Sequence, residues 1–331
     1  MQIPDREITA EGVRAAAKRI NGLAVKTPLI ENDVLNEIAG ARVFLKAEVL
    51  QLGGAFKFRG AYNLVSKLLA EQRRDGILAW SSGNHAQGVA RAAKMFEMPA
   101  TIIMPADAPS IKADAVRKLG AKIVEYDRYT EDREDIAREI LAKKSMALAP
   151  SFDHPDIIEG QGTLALETVL ALMEQDVRLD AFIAPCGGGG LAAGCATILE
   201  DIAGSAKVFI AEPQNFSETW ASIQSGERQY ADVSQTTICD AIATPTPGSL
   251  TLPILERRVS AGAEVSEQEV CEAVAFASKH LKLTVEPGGA VALAGVLSGK
   301  YEITGQNVVV VLSGGNIDPA LHAKIISENF A

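Results

Sequence analysis

Ala181-Phe182-Ile183-Ala184-Pro185-Cys186-Gly187-Gly188-Gly189-Gly190-Leu191 is an apolar run of strand length that gives way to four consecutive glycines. A helical period follows it, so the stretch reads as one strand-turn-helix unit. The unit recurs on both sides. Upstream, apolar runs at Gly76–Trp80, Ala100–Met104 and Lys122–Tyr126 each precede a predicted helix, over Asn84–Phe96, Pro109–Leu119 and Glu131–Lys144. Downstream, Lys207–Ala211 and Val308–Leu312 resume the strand pattern. Such alternation implies an α/β fold of parallel strands with helices on both faces.

The stretch before about Ile38 reads as helical, with Thr27-Pro28-Leu29 as an extended break. Thr244-Pro245-Thr246-Pro247-Gly248 reads as a rigid connection, neither helix nor central strand. Turn formers cluster near Leu52–Gly54 and Pro150–Pro155. These divide the chain into a large lobe, residues 1–53 and 151–331, and a small lobe, residues 54–150. The expected architecture is two open parallel-sheet lobes with the site between them.

The 331 residues are 47% hydrophobic and 22% charged, enough for large cores and near the average of ordered proteins. A net charge of −10 with no Lys/Arg-rich run argues against a nucleic-acid partner. No apolar run reaches the ~18–20 residues needed to cross a bilayer, and the N-terminus lacks a signal-peptide core. Cys186, Cys195, Cys239 and Cys271 show no CxxC spacing and are expected reduced and buried, which points to the cytoplasm.

In an open parallel sheet, ligands bind beyond the carboxyl ends of strands. Three loops occupy such positions. Gly187–Gly190 lets successive backbone N–H groups turn toward one anion at a helix start, which suits a phosphate. The same loop matches a dinucleotide fingerprint as Gly188-x-Gly190-x-x-Ala193, with Glu212 where a ribose-binding acid would fall. A nicotinamide oxidoreductase therefore stays open as a rival. Ser81-Ser82-Gly83-Asn84-His85 offers hydroxyls, an amide and a ring at a helix start, and reads equally as a carboxylate site or a plain helix cap. Ser313-Gly314-Gly315-Asn316 places one hydroxyl at a strand exit and carries no function by itself. Lys57, between Phe56 and Phe58, becomes a nucleophile only where burial lowers its pKa; alone it reads as a surface lysine.

Taken in order, Phe56-Lys57-Phe58-Arg59-Gly60-Ala61, Ser81-Ser82-Gly83-Asn84-His85-Ala86-Gln87, Gly160-Gln161-Gly162-Thr163, Gly187–Gly190, Glu286-Pro287 and Ser313–Asn316 resemble the fold type II pyridoxal-phosphate enzymes. This is the tryptophan synthase β-like fold, and the chain looks most like its serine/threonine dehydratase and serine racemase branch. The resemblance implies that Lys57 carries pyridoxal 5′-phosphate as a Schiff base and serves as acid and base at Cα. It implies that Phe56 packs on the ring, Asn84 bonds its 3′-oxygen, and Gly187, Gly188, Gly189, Gly190 and the Leu191 amide hold the phosphate. Ser313 would face the ring nitrogen, while Ser81, Ser82, Asn84 and His85 would bind the substrate carboxylate. In racemases of this type the residue at Ser82 also delivers a proton on the opposite ring face. Glu212, the Phe216 carbonyl and Glu218 resemble the family's divalent-cation loop, suited to Mg²⁺ or Ca²⁺.

A neutral hydroxyl at the ring nitrogen favours loss of a β-hydroxyl over transamination. The implied activity is an L-threonine/L-serine ammonia-lyase giving a 2-oxo acid and ammonia, in a homodimer or homotetramer with no nucleic-acid or membrane partner. Ala55 stands where threonine-acting members often carry serine, and alanine there occurs in members resembling 3-hydroxyaspartate dehydratases. That activity and serine racemase are the nearest alternatives. The chain ends soon after Asn316, so no C-terminal regulatory domain is expected.

Overall fold

The computed structural model describes residues 4, 6–81, 83–108, 110–127, 129–232 and 234–329. Among these the strands, numbered in chain order, are β1 (Leu29–Ile30), β2 (Arg42–Ala47), β3 (Ile77–Trp80), β4 (Ala100–Pro105), β5 (Lys122–Tyr126), β6 (Ala147–Leu148), β7 (Ala181–Pro185), β8 (Lys207–Pro213), β9 (Val259–Val265) and β10 (Asn307–Leu312). They form two sheets. One is six-stranded in the order β1-β2-β10-β7-β8-β9, and the other is four-stranded in the order β5-β4-β3-β6. The smaller sheet is drawn wholly from the chain between β2 and β7, which interrupts the larger one.

Every pairing is parallel except β1 with β2, which is antiparallel. The departure has a simple cause. The link through helix Asp33–Ala39 is shorter than a parallel crossover requires, so the chain reverses at the sheet edge.

The interior strands are apolar on both faces because helices cover both. Along β10, Val308, Val310 and Leu312 enter one core while Val309 and Val311 enter the other. Along β2, Val43 and Leu45 share the first core and Phe44 the second. This two-residue alternation with no polar face is the signature of a buried sheet. A further core, which includes Ile77, Ala79, Ile102 and Met104, packs the four-stranded unit.

The helix signals are local. Asp132 accepts from the Glu134 and Asp135 amides to start helix Arg133–Lys143. Ser266 and Glu269 form a reciprocal capping box for helix Glu267–Phe276. The predicted helices at 84, 109 and 131 appear as Asn84–Met95, Ser110–Lys118 and Arg133–Lys143. Among the described residues, no helix is long and apolar enough to cross a membrane. All four cysteines are free, and Cys271 is only half-buried, contrary to the expected burial.

Candidate active site

The carboxyl ends of β3, β7 and β10 open on one cavity of ≈ 470 Å³. Its wall contains Phe56, Lys57, Ser81, Asn84, His85, Gly187, Gly188, Gly189, Gly190, Leu191 and Ser313, residues that the sequence places far apart. Ser82, expected to act beside Lys57, lies outside the described residues.

Lys57 is positioned by a turn whose residues bond to the exit of β10. The Phe56 amide donates to the Ser313 carbonyl (3.1 Å), Ala55 pairs with Gly314, and the Gly315 amide donates to the Gly54 carbonyl (2.8 Å). Lys57 then begins helix Lys57–Lys67, and its Nζ donates to the Ser151 carbonyl at 2.8 Å. Burial pushes the amine down to about 8, against the pull of Glu286. Phe56 flanks it, with Nζ 5.1 Å from the ring centroid.

The glycine loop is a cradle that side chains would fill. A Cβ at Gly187 would stand 2.6 Å from the Ile242 carbonyl oxygen, one at Gly188 2.4 Å from the Phe152 ring, and one at Gly190 2.8 Å from Phe152 Cβ. Gly189 also adopts φ +88°, a conformation that side chains disfavour. Thr251 Oγ1 donates to the Gly188 carbonyl (2.7 Å), so the carbonyl faces protein and the loop keeps its amides for a ligand. An amine of lowered pKa and a phosphate-sized cradle share one cavity with a ring-flanking phenylalanine. These residues fit a pyridoxal phosphate.

At the second loop, helix Asn84–Met95 starts from Gly83 with no side-chain cap. Its first amides are therefore open for an anion. Ser81 Oγ is engaged locally, accepting from the Gly83 amide at 3.1 Å. The His85 ring, expected among the groups at the substrate carboxylate, is tied to the protein backbone. It is buried, Nε2 lies 2.8 Å from the Ala149 carbonyl, and burial with the Lys57 charge pushes its pKa down to about 3. A ring that donates through Nε2 presents only an acceptor at Nδ1, so the neutral ring has no second N–H to offer a carboxylate.

Some wall residues carried no sequence signal. Lys112 Nζ bonds Asp240 Oδ2 at 2.7 Å, joining helix Ser110–Lys118 to the connection before helix Leu252–Arg258. Arg133 also lines the cavity and has no carboxylate partner among the described residues. Both placements depend on tertiary approach, which no local motif encodes.

Glu212 and Glu218 are both buried. Glu212 accepts from the Thr219 and Trp220 amides at 3.2 and 2.7 Å, so its carboxylate caps helix Glu218–Ser225, and it does not line the cavity that holds the glycine loop. The dinucleotide reading therefore fails. Burial, and for Glu212 the neighbouring Glu218 charge, raises both carboxyls, and Glu218 Oε2 is buried without a partner. That orphaned oxygen, with Phe216 in the turn between the two acids, fits a small hard cation. Among the described residues no cluster of three or more His, Cys, Asp or Glu side chains forms a fuller metal site.

Comparison with known proteins agrees with this geometry. Residues 20–314 match the model of the family described as pyridoxal-phosphate dependent enzyme. The chain is 42% identical over 312 residues to an L-threo-3-hydroxyaspartate ammonia-lyase of Saccharomyces cerevisiae, covering 94% of each chain. It is 37% identical to a serine racemase of Schizosaccharomyces pombe, over 97% of this chain and 98% of that one. Among solved structures, the processed form of threonine deaminase isoform 2 from Solanum lycopersicum superposes with a TM-score of 0.89 at 30% identity, over 98% of this chain and 96% of that one. With the lysine, the glycine cradle and nearly the whole length accounted for, the chain belongs to the pyridoxal-phosphate dependent enzymes of fold type II.

Proposed function

We propose that this protein is a 3-hydroxyaspartate ammonia-lyase, which converts its substrate to a 2-oxo dicarboxylic acid and ammonia by loss of the β-hydroxyl. The observation that carries the reading is Arg133, a cation in the cavity wall with no carboxylate of its own among the described residues. An unpaired guanidinium in a ligand cavity suits bidentate recognition of a second substrate carboxylate. The likeness to the Saccharomyces lyase supports it.

Bound pyridoxal phosphate supplies the electron sink that lets the Cα proton leave. The chain does the rest. The open amides at the start of helix Asn84–Met95 hold the α-carboxylate, and Lys57 Nζ takes the Cα proton. Ser313 would meet the ring nitrogen with a neutral hydroxyl, and Gly187–Leu191 would anchor the phosphate. Residues 54–150 act as the lobe that closes over substrate, with Lys112 and Asp240 meeting across the cleft. Glu212, the Phe216 carbonyl and Glu218 hold a structural Mg²⁺ or Ca²⁺.

A second reading, L-threonine/L-serine ammonia-lyase, is supported by the solved threonine deaminase. Rates of 2-oxo acid formation from L-threo-3-hydroxyaspartate, L-serine, D-serine and L-threonine separate the two, with chiral inversion followed in parallel. The hydroxyaspartate is expected to show the highest kcat/KM, and Arg133→Ala to raise its KM while leaving serine unaffected. A higher kcat/KM for threonine or serine would replace the first reading with the second.

A further inference from the structure

Glu286 sits at the N-cap of helix Pro287–Leu297, yet its side chain makes no capping bond. Its Oε1 instead accepts from Asn84 Nδ2. Asn84 Oδ1 accepts from Asn316 Nδ2 at 2.7 Å, and the same Asn316 nitrogen donates to the Gly53 carbonyl, also at 2.7 Å. The direction of this chain is fixed at every link. An amide whose oxygen is committed to a donor and whose nitrogen is committed to a carboxyl cannot flip. One Asn84 N–H remains, on a side chain that lines the cavity.

Two details mark Glu286 as more than structural support. A Cβ at position 314 would stand 2.0 Å from Glu286 Oε1, so the carboxyl occupies space that only glycine leaves open. Its other oxygen, Oε2, is buried without a partner. Buried polar atoms with no partner are rare in folded proteins, and one beside a ligand cavity points to the ligand. The carboxyl feels the charges of Lys112 and Asp240, and its own charge acts on Lys57.

We propose that Glu286 is a positioning residue for the cofactor: with Asn316 it fixes the Asn84 amide so that one N–H is left for the bound ring. The inference rests on the cofactor reading of the site and not on the choice of substrate. Burial lifts the Glu286 carboxyl to about 7, with the Lys112 charge opposing. The carboxylate form is therefore present above about pH 7 and lost below it.

The test is spectroscopic and uses resting holoenzyme with no amino acid present, so it is blind to substrate preference. The visible band of bound pyridoxal phosphate is titrated with pH, and its dissociation constant is measured, in wild type, Glu286→Gln and Glu286→Ala. Wild type is expected to show an inflection near pH 7. Glu286→Gln, which keeps an acceptor for Asn84 but loses the charge, should abolish the inflection and leave the dissociation constant nearly unchanged. Glu286→Ala should abolish it and weaken binding by about ten- to a hundredfold, through the freed amide. An unchanged inflection in Glu286→Gln would overturn the placement of the Glu286 carboxyl beside the cofactor. Tight binding by Glu286→Ala would overturn the positioning role.

Discussion

Lys57 Nζ donates to the carbonyl of Ser151, so the amine that begins helix Lys57–Lys67 is held by the chain on the far side of the four-stranded unit. Its lowered pKa of about 8 governs how the apoprotein takes up cofactor. Only the neutral amine attacks an aldehyde, so the rate of pyridoxal-phosphate uptake should rise with pH and level off above about 8. Stopped-flow absorbance across the range checks this. A rate flat with pH would count against a perturbed lysine, and Lys57→Ala should lose the borohydride-reducible adduct while keeping its fold.

The glycine cradle predicts a graded response to alanine. At Gly187 the added Cβ meets a backbone carbonyl, which cannot move aside. At Gly188 it meets the edge of the Phe152 ring, which shifts more readily. Gly187→Ala should therefore weaken cofactor binding more than Gly188→Ala, and fluorescence titration of the two apoproteins would read the order. Equal affinities would show that the loop is roomier than its geometry indicates.

Beneath the cavity lies a buried ionic network. Arg59 donates to Glu48 through Nε and a terminal nitrogen, both at 2.8 Å, and to Glu167 at 3.0 Å. Burial alone would raise the Glu48 carboxyl, yet the Arg59 charge beside it wins and holds it below its usual range. A depressed carboxylate stabilises the fold above its unfolded pKa and loses that contribution as pH falls through the folded value. Glu48→Gln strands Arg59 and should cost about 3–5 kcal/mol. Urea unfolding at neutral pH checks the size, and the gap between variant and wild type should narrow in acid.

The raised carboxyls of Glu212 and Glu218 give the opposite sign. A carboxyl whose folded pKa is raised contributes stability below its unfolded pKa and loses it as pH rises. Metal-free protein should therefore weaken as pH increases, and Mg²⁺ or Ca²⁺ should restore the thermal midpoint. Glu218→Ala should remove the response to cation. A midpoint indifferent to cation and to chelator would show that the two acids stay protonated.

The sequence was most readable where one element explains itself. β7 and β5 fall at their expected ends because their apolar runs stop at turn formers. β2 gave no such signal, although it lies inside the larger sheet. Its run is broken by Lys46, whose side chain is buried against Glu167 and the Thr27 carbonyl, partners that sequence order does not reveal. The site divides in the same way. Lys57 and the glycine loop sit in recognisable motifs, whereas the Lys112–Asp240 pair joins residues 128 positions apart. Glu286 lay inside a recognised motif without a role, because its partner Asn84 is 202 residues away.

The interrupted sheet has a consequence for how the chain matures. β2 must keep its β10 side unpaired until the chain has been made past Leu312, where β10 ends. The four-stranded unit closes on itself through neighbouring segments and is free to form earlier. Long-range parallel pairing is slow, and a waiting strand edge is prone to stray association. Ribosome-bound chains should thus acquire protection from hydrogen exchange first in β3 to β5, and in β2 only once β10 has emerged.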